Sequence, residues 1–132
     1  MTSDDYAELT LAEAAERMRC AGSTVLEREK SDEIFAIMAP TRFSGRRYPA
    51  FQFSSAVDLS LLKGLIAQYR HAAVPCNELW HFLRSTPRDF CGKTGVGILL
   101  GASVPTLEGL SVLERADAVL DVVKEELSRI AH

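Results

Sequence analysis

The chain has 132 residues, 47% of them hydrophobic and 25% charged, a composition typical of one compact globular domain or of two very small ones sharing a core. No apolar run reaches the roughly 18 residues of a membrane span, so no membrane contact is predicted. The acidic N-terminus has no apolar signal region, which predicts a cytoplasmic protein. The three cysteines are widely spaced, which predicts reduced thiols. Its formal net charge of −3 argues against a general nucleic-acid binder.

The first predicted elements are two short helices separated by four residues. Thr10 and Glu13 form a capping-box pattern at the start of the first helix, which runs to Met18. A second helix is predicted over residues 23–30, with Ser23 opening it. Two short helices joined by a tight turn, the second opened by Ser or Thr, are typical of a helix-turn-helix.

A basic β-hairpin is predicted to follow the helix pair. Residues 34–38 form an apolar run that fits a strand, residues 39–45 are rich in turn-forming residues, and residues 46–48 fit the return strand before Pro49. Residues 34–104 hold eight basic and three acidic residues, so they can present a positive face to phosphate. Pairing of these cations with the acidic ends of the chain is the alternative.

The second half of the chain is predicted to be helical. Helical periodicity covers residues 59–69, with Asp58 as the cap. Shorter helices are predicted over residues 77–84 and 94–100.

The last helix gives the clearest periodic signal. Ser111 and Glu114 form a second capping-box pattern. Beyond it, apolar residues follow a strict three-four spacing that forms a continuous seam on one side of a helix. This seam is either the core-facing side of a helix in the monomer or a subunit interface. The interface interpretation assigns four residues of this helix to a partner or dimer surface, namely Leu113, Leu120, Val123 and Leu127.

Taken together, these elements predict a mainly α fold in two units. Residues 1–53 form an N-terminal helix-turn-helix with a short β-hairpin wing, which is the DNA-binding candidate. Residues 54–132 form a C-terminal helical bundle with a long last helix.

The order of these motifs resembles a bacterial group of antitoxin-like proteins of the Xre-MbcA-ParS type, here preceded by an excisionase-like or winged helix-turn-helix element. The most specific piece is Arg46-Arg47-Tyr48-Pro49-Ala50-Phe51-Gln52-Phe53, followed by a helix, Trp80-x-x-Leu83 and Gly92-Lys93-Thr94. The resemblance covers roughly residues 9–125.

That resemblance implies an all-helical C-terminal domain that dimerises and binds a toxin, often an NAD-degrading one. It also implies an N-terminal element that binds operator DNA for autoregulation. By the same resemblance, recurrent positions of the C-terminal domain correspond to Trp80, Leu83, Gly92 and Thr94. Trp80 joins the predicted partner interface, although a Trp on an apolar face is more often a core residue.

DNA binding by the first unit would give its polar residues distinct roles. Ser23 and Thr24 would donate to a phosphate or a base edge, and Arg28 and Lys30 would reach the backbone or a guanine. The hairpin cations would clamp flanking phosphates without reading sequence; they are Arg42, Arg46 and Arg47.

Two acidic residues of the second helix favour a different function. Glu27 and Glu29 repel phosphate where a cation is expected. The alternative hypothesis is therefore a protein-interaction module that keeps the fold and does not bind DNA.

Catalytic and metal sites are not predicted. Gly92-Lys93-Thr94 lacks the Gly that a phosphate loop requires five residues earlier, because Pro87 occupies that position. The three histidines lie far apart in sequence, and Cys76 and His81 have no second pair of ligands nearby. We therefore expect no enzymatic activity, no metal site and no cofactor.

Overall fold

The computed structural model describes residues 3–38 and 45–131. Within those ranges the helices are α1 (Leu11–Met18), α2 (Gly22–Lys30), α3 (Leu59–His71), α4 (Cys76–Arg84), α5 (Gly95–Leu99) and α6 (Val112–Ala131). The strands are β1 (Glu8–Leu9), β2 (Ile37–Met38) and β3 (Arg46–Pro49), and 3-10 turns cover Ser3–Tyr6, Ala50–Phe53 and Arg88–Phe90. The predicted mainly α fold with a small β element and a long last helix is confirmed.

Helix α1 begins where the sequence predicts. The Glu13 backbone N donates to Thr10 Oγ1 across 3.2 Å, and the Thr10 backbone N donates to Glu13 Oε1 across 3.0 Å, which completes the capping box. The helix ends at Arg19, whose φ of 53° is left-handed.

Helix α2 begins one residue earlier than predicted. Ala21 takes the N-cap position without a side-chain hydrogen bond, so the prediction that Ser23 opens the helix is wrong. A Cβ placed on Gly22 would already lie 3.7 Å from Leu11 Cδ2. Gly22, the first residue of α2, is therefore packed closely against Leu11 of α1.

A three-stranded antiparallel sheet in the order β1-β3-β2 backs the helix pair. The predicted hairpin strands are present, although the first is shortened to β2. Strand β1 is an addition that sequence analysis missed, because two residues are too few to show an alternating pattern. Residues 39–44, which link β2 to β3, lie outside the described residues.

Strand β2 is held on its outer side by a side chain of α4. Asn77 Oδ1 accepts from the Met38 backbone N, and Asn77 Nδ2 donates to the Met38 carbonyl O, both across 3.0 Å. The side-chain amide of Asn77 thus hydrogen-bonds the backbone N and carbonyl O of Met38 at the edge of the sheet, as a neighbouring strand would.

Two clusters of buried side chains fill the interior. The smaller one lies between the helix pair and the sheet and contains Leu9, Ala14, Val25, Ile34, Tyr48 and Ala50. The larger one lies among α3–α6 and also takes in Phe35, Ile37 and Phe51 from the N-terminal unit. The two predicted units therefore pack directly on each other.

Trp80 on α4 is the centre of that contact. Its ring stacks on Phe51 with centroids 5.8 Å apart and planes 4° apart, and it lies 6.4 Å from Phe35 and 6.5 Å from Tyr6. Its Nε1 donates to Glu8 Oε2 across 2.9 Å, which satisfies the one polar atom of the indole.

Helices α3 and α6 lie side by side with their N-termini at the same end. Asp58 caps α3 as predicted, accepting from the Leu61 backbone N across 3.0 Å. Arg115 Nη1 lies 3.9 Å from Asp58 Oδ2 near the start of both helices. Further along, a Cβ placed on Gly64 would lie 3.7 Å from Leu120 Cδ2, so the two helices run parallel.

The start of α6 is also fixed by its predicted cap. The Glu114 backbone N donates to Ser111 Oγ across 3.2 Å, and the Ser111 backbone N donates to Glu114 Oε1 across 3.0 Å. None of the helices that the structure describes is both long enough and apolar enough to cross a bilayer.

Candidate functional site

The outward face of α2 is the first candidate surface. Val25 is buried against the small core. With 3.6 residues per turn, the opposite side of the helix carries Ser23, Glu27 and Lys30, and all three are exposed. One cation and one anion leave this face without net charge at neutral pH.

Strand β3 lies beside this face and is joined to α2 through Glu29. Arg46 Nη1 lies 3.5 Å from Glu29 Oε1, and the Tyr48 hydroxyl donates to the same oxygen across 2.7 Å. Burial, followed by the hydrogen bond to Glu29, raises the pKa of Tyr48 to about 12, so the hydroxyl keeps its proton at neutral pH. The predicted alternative, in which hairpin cations pair with acidic helix residues, is therefore found for Arg46.

Some of the predicted DNA-binding residues converge on one shallow concavity. Its volume is about 430 Å³, and its lining includes Ser23, Lys30 and Arg46 together with Glu27 and Glu29. Two cations and two carboxylates thus share this surface.

The remaining predicted DNA-binding residues lie elsewhere. Arg28 faces a different groove, on the far side of α2, and the half-buried Thr24 lies one helical turn before it. Arg47 is half-buried, and its Nη1 donates to the carbonyl O of Arg46 across 3.1 Å. Arg42 lies outside the described residues.

The groove that Arg28 faces separates the helix pair from α3. Its volume is about 470 Å³, and cations from three helices line it, namely Arg17, Arg28 and Lys63. Sequence analysis missed this groove because its lining comes from segments that are far apart in the chain. The sequence offered no clear signal for it, since Leu59, the exposed apolar residue of its lining, lies seven residues before the buried Ile66 and so on nearly the same side of α3 as the core residues.

The predicted partner interface is largely covered by the chain itself. Trp80, Val123 and Leu127 are buried in the larger core, so in this structure they belong to the core alternative and not to an exposed surface. Leu120 is half-buried against α3, and Leu113 is exposed. The parallel packing of α3 on α6 covers much of the apolar seam, and Phe51 and Phe35 of the N-terminal unit cover Trp80.

The other positions that the resemblance singles out have structural roles. Leu83 is buried against Gly95 at the crossing of α4 and α5. Gly92 has a φ of 85°, which favours glycine. Thr94 caps α5, accepting from the Gly97 backbone N across 3.0 Å, and its hydroxyl lies 2.8 Å from the Tyr6 hydroxyl.

Comparison of the chain with protein-family models, with curated proteins and with solved structures finds no match. Among residues 3–38 and 45–131, no three His, Cys, Asp or Glu side chains are grouped so that they would hold a metal ion. The function is therefore inferred from the surfaces of this chain alone.

Proposed function

We propose that the protein is a DNA-binding regulator of the antitoxin type. In this proposal α2 and the β2–β3 hairpin bind operator DNA, and the C-terminal helices bind a toxin. The observation that carries the proposal is the convergence of Ser23, Lys30 and Arg46 on one surface of a helix pair backed by a sheet. A helix-turn-helix presents its second helix to the major groove in this way.

Each residue of that surface has a separate task in the complex. Ser23 in the first turn of α2 donates to a phosphate or base edge, and Lys30 at the end of α2 reaches a phosphate or guanine. Arg46 on the neighbouring strand contacts the flanking backbone. Because one module of this size binds weakly, we expect a dimer on two half-sites.

The toxin contact is assigned to the cleft between the end of α4 and α6. This cleft has a volume of about 580 Å³ and is lined by charges of both signs, among them Arg88, Asp89, Glu125 and Arg129. A lining of this kind suits a polar protein partner, since paired charges give specificity and a defined orientation.

A protein-interaction module without DNA binding is the second candidate. Glu27 is exposed at the middle of the outward face of α2, and Glu29 partly neutralises Arg46. Both features weaken the attraction of this surface for phosphate.

Titration of the purified protein against its own upstream promoter DNA and against random DNA tests the proposal. The association constant for the promoter should fall steeply with salt. In a plot of its logarithm against the logarithm of the salt concentration, the slope should be about −0.9 per neutralised phosphate. Lys30→Ala and Arg46→Ala should weaken binding, while Lys124→Ala on α6 is the matched control. Equal affinity for promoter and random DNA, or promoter binding unchanged in both variants, would move the assignment to the interaction module.

A further inference from the structure

Exposed apolar side chains cluster at the start of α6. Val112 is 79% exposed and Leu113 is 78% exposed, and Leu110 just before them is also exposed. The Ser111–Glu114 capping box holds them on an ordered helix end. Contiguous exposed apolar residues of this kind mark interaction sites.

This helix end is also acidic. Glu114 and Asp117 are exposed in the first two turns of α6, and Glu108 is exposed just before it. Residues 108–117, which we call the acidic start of α6, therefore combine an apolar tip with negative charge.

The groove between the helix pair and α3 has the opposite charge. Its apolar lining includes Met18, Phe53 and Leu59, and Leu59 is 57% exposed. Among the residues that the structure describes, Arg28 and Lys63 on its rim have no ion-pair partner. Arg17 also lies on the rim but is paired with Asp4 across 3.0 Å, and Glu33 is the single acid of the lining, so Arg28 and Lys63 leave the rim positive and we call it the basic groove.

These two surfaces lie at the same end of the molecule. Leu59 on the groove follows Asp58, and Asp58 lies 3.9 Å from Arg115, two residues after Leu113. A two-fold axis through this end would place the acidic start of each copy at the basic groove of the other. Such an isologous contact forms twice and closes as a dimer.

We infer that a second copy of this chain covers the basic groove, with the acidic start of α6 from each protomer seated in the groove of its partner. Apolar contact then buries Leu59 and Leu113, and opposite charges meet at the rim. The outward face of α2 with Ser23 and Lys30 stays free. This inference gives a surface to the dimer that the proposed function requires, and it assigns Arg28 to the interface.

Light scattering coupled to size-exclusion chromatography, without DNA, tests the inference over a range of protein concentrations. The wild type should be a dimer at high concentration. Leu113→Asp should raise the dissociation constant at least about tenfold, because it places a charge at the centre of the contact. Leu113→Met is the matched control and should dimerise like the wild type, and circular dichroism should show that both variants are folded.

A charge-reversal pair tests the contact between copies more directly. Lys63→Glu and Asp117→Lys should each weaken the homodimer, because each variant faces its own copy with like charges. Mixing the two variants should restore a heterodimer, since Glu in the groove of one then faces Lys on the helix of the other. The restored dissociation constant should be at least about tenfold below those of the two homodimers.

Three results would overturn the inference: a wild type that stays monomeric at every concentration, Leu113→Asp with the mass of a dimer, or no heterodimer in the mixture. The proposed function fails separately. A dimer that does not bind promoter DNA contradicts only the DNA-binding proposal. A protein that is monomeric without DNA and still binds the promoter specifically contradicts the proposed interface and the expected dimer, but leaves the DNA-binding assignment standing.

Discussion

The Tyr48 hydroxyl donates a 2.7 Å hydrogen bond to Glu29 Oε1 and so joins strand β3 to helix α2. Arg46, two residues before Tyr48, lies 3.5 Å from the same oxygen. One carboxylate of α2 therefore contacts two residues of β3, in addition to the buried apolar cluster that lies between the helix pair and the sheet.

Tyr48→Phe removes this bond while keeping the ring. We expect the free energy of unfolding to fall by about 1–2 kcal/mol, since hydrogen bonds to charged groups stabilise by about 1.5–3 kcal/mol and this one is partly solvated. Urea denaturation followed by circular dichroism measures the change. Glu29→Gln keeps an acceptor for the Tyr48 hydroxyl, so its free energy of unfolding should fall by less. Equal stability of Tyr48→Phe and the wild type would contradict the assigned role.

Stability should decrease at alkaline pH. The pKa of Tyr48 rises from 10.0 to about 12 in the folded chain, through burial and then through Glu29, and burial also raises the pKa of Tyr69. Both phenols ionise more readily in the unfolded chain, so their contribution to the free energy of unfolding is fully present below pH 10. The contribution of Tyr48 is lost between pH 10 and about pH 12. Urea titrations across this pH range should show that Tyr48→Phe loses less unfolding free energy than the wild type does. Identical losses would rule out Tyr48 as a source.

Trp80 should report on both units at once. It is the single tryptophan of the chain and contacts Phe51 and Phe35 of the N-terminal unit from its place on α4. We therefore expect unfolding curves from Trp80 fluorescence and from circular dichroism to coincide. Two separated transitions would show that the units unfold independently.

Removing the Trp80 side chain should be costly. Trp80→Ala should lower the free energy of unfolding by about 3–5 kcal/mol, as large-to-small core substitutions do. Glu8→Gln, which keeps an acceptor for Nε1, is the control and should cost much less. A cost of Trp80→Ala no larger than that of Glu8→Gln would show that the ring is not part of the core.

Gly95 and Gly64 form a matched pair of helical glycines. A Cβ on Gly95 would lie 2.8 Å from Leu83 Cδ2 and 3.1 Å from Leu83 Cα, whereas a Cβ on Gly64 makes an ordinary 3.7 Å contact with Leu120. Gly95→Ala should therefore destabilise by about 1–3 kcal/mol through overpacking. Gly64→Ala should stabilise α3 by about 0.5–1 kcal/mol. Thermal denaturation measures the change in stability of each variant relative to the wild type. A change in the same direction for both variants would contradict the assigned packing.

Glu27 should oppose DNA binding. Glu27→Gln removes the exposed negative charge from the outward face of α2 and should raise promoter affinity severalfold, more at low salt than at high salt. Fluorescence anisotropy with labelled promoter DNA measures the change, and Glu125→Gln on α6 is the control. No difference between these two variants would place the DNA away from this face of α2.

Local sequence patterns determined where three of the six described α-helices begin. The caps formed by Thr10 with Glu13, by Asp58 and by Ser111 with Glu114 join residues only three positions apart, so they can be recognised without knowing the fold. The mainly α class and the long last helix follow from the same short-range periodicity.

Only the tertiary structure decided which surfaces are exposed. The seam of α6 reads equally well as core or interface, and the parallel packing of α3 buries Val123 and Leu127 while leaving Leu113 exposed. The bond from Tyr48 to Glu29 and the basic groove likewise join residues that are distant in sequence. Periodicity defines the apolar side of a helix, but the neighbouring segment that covers that side is set by long-range packing.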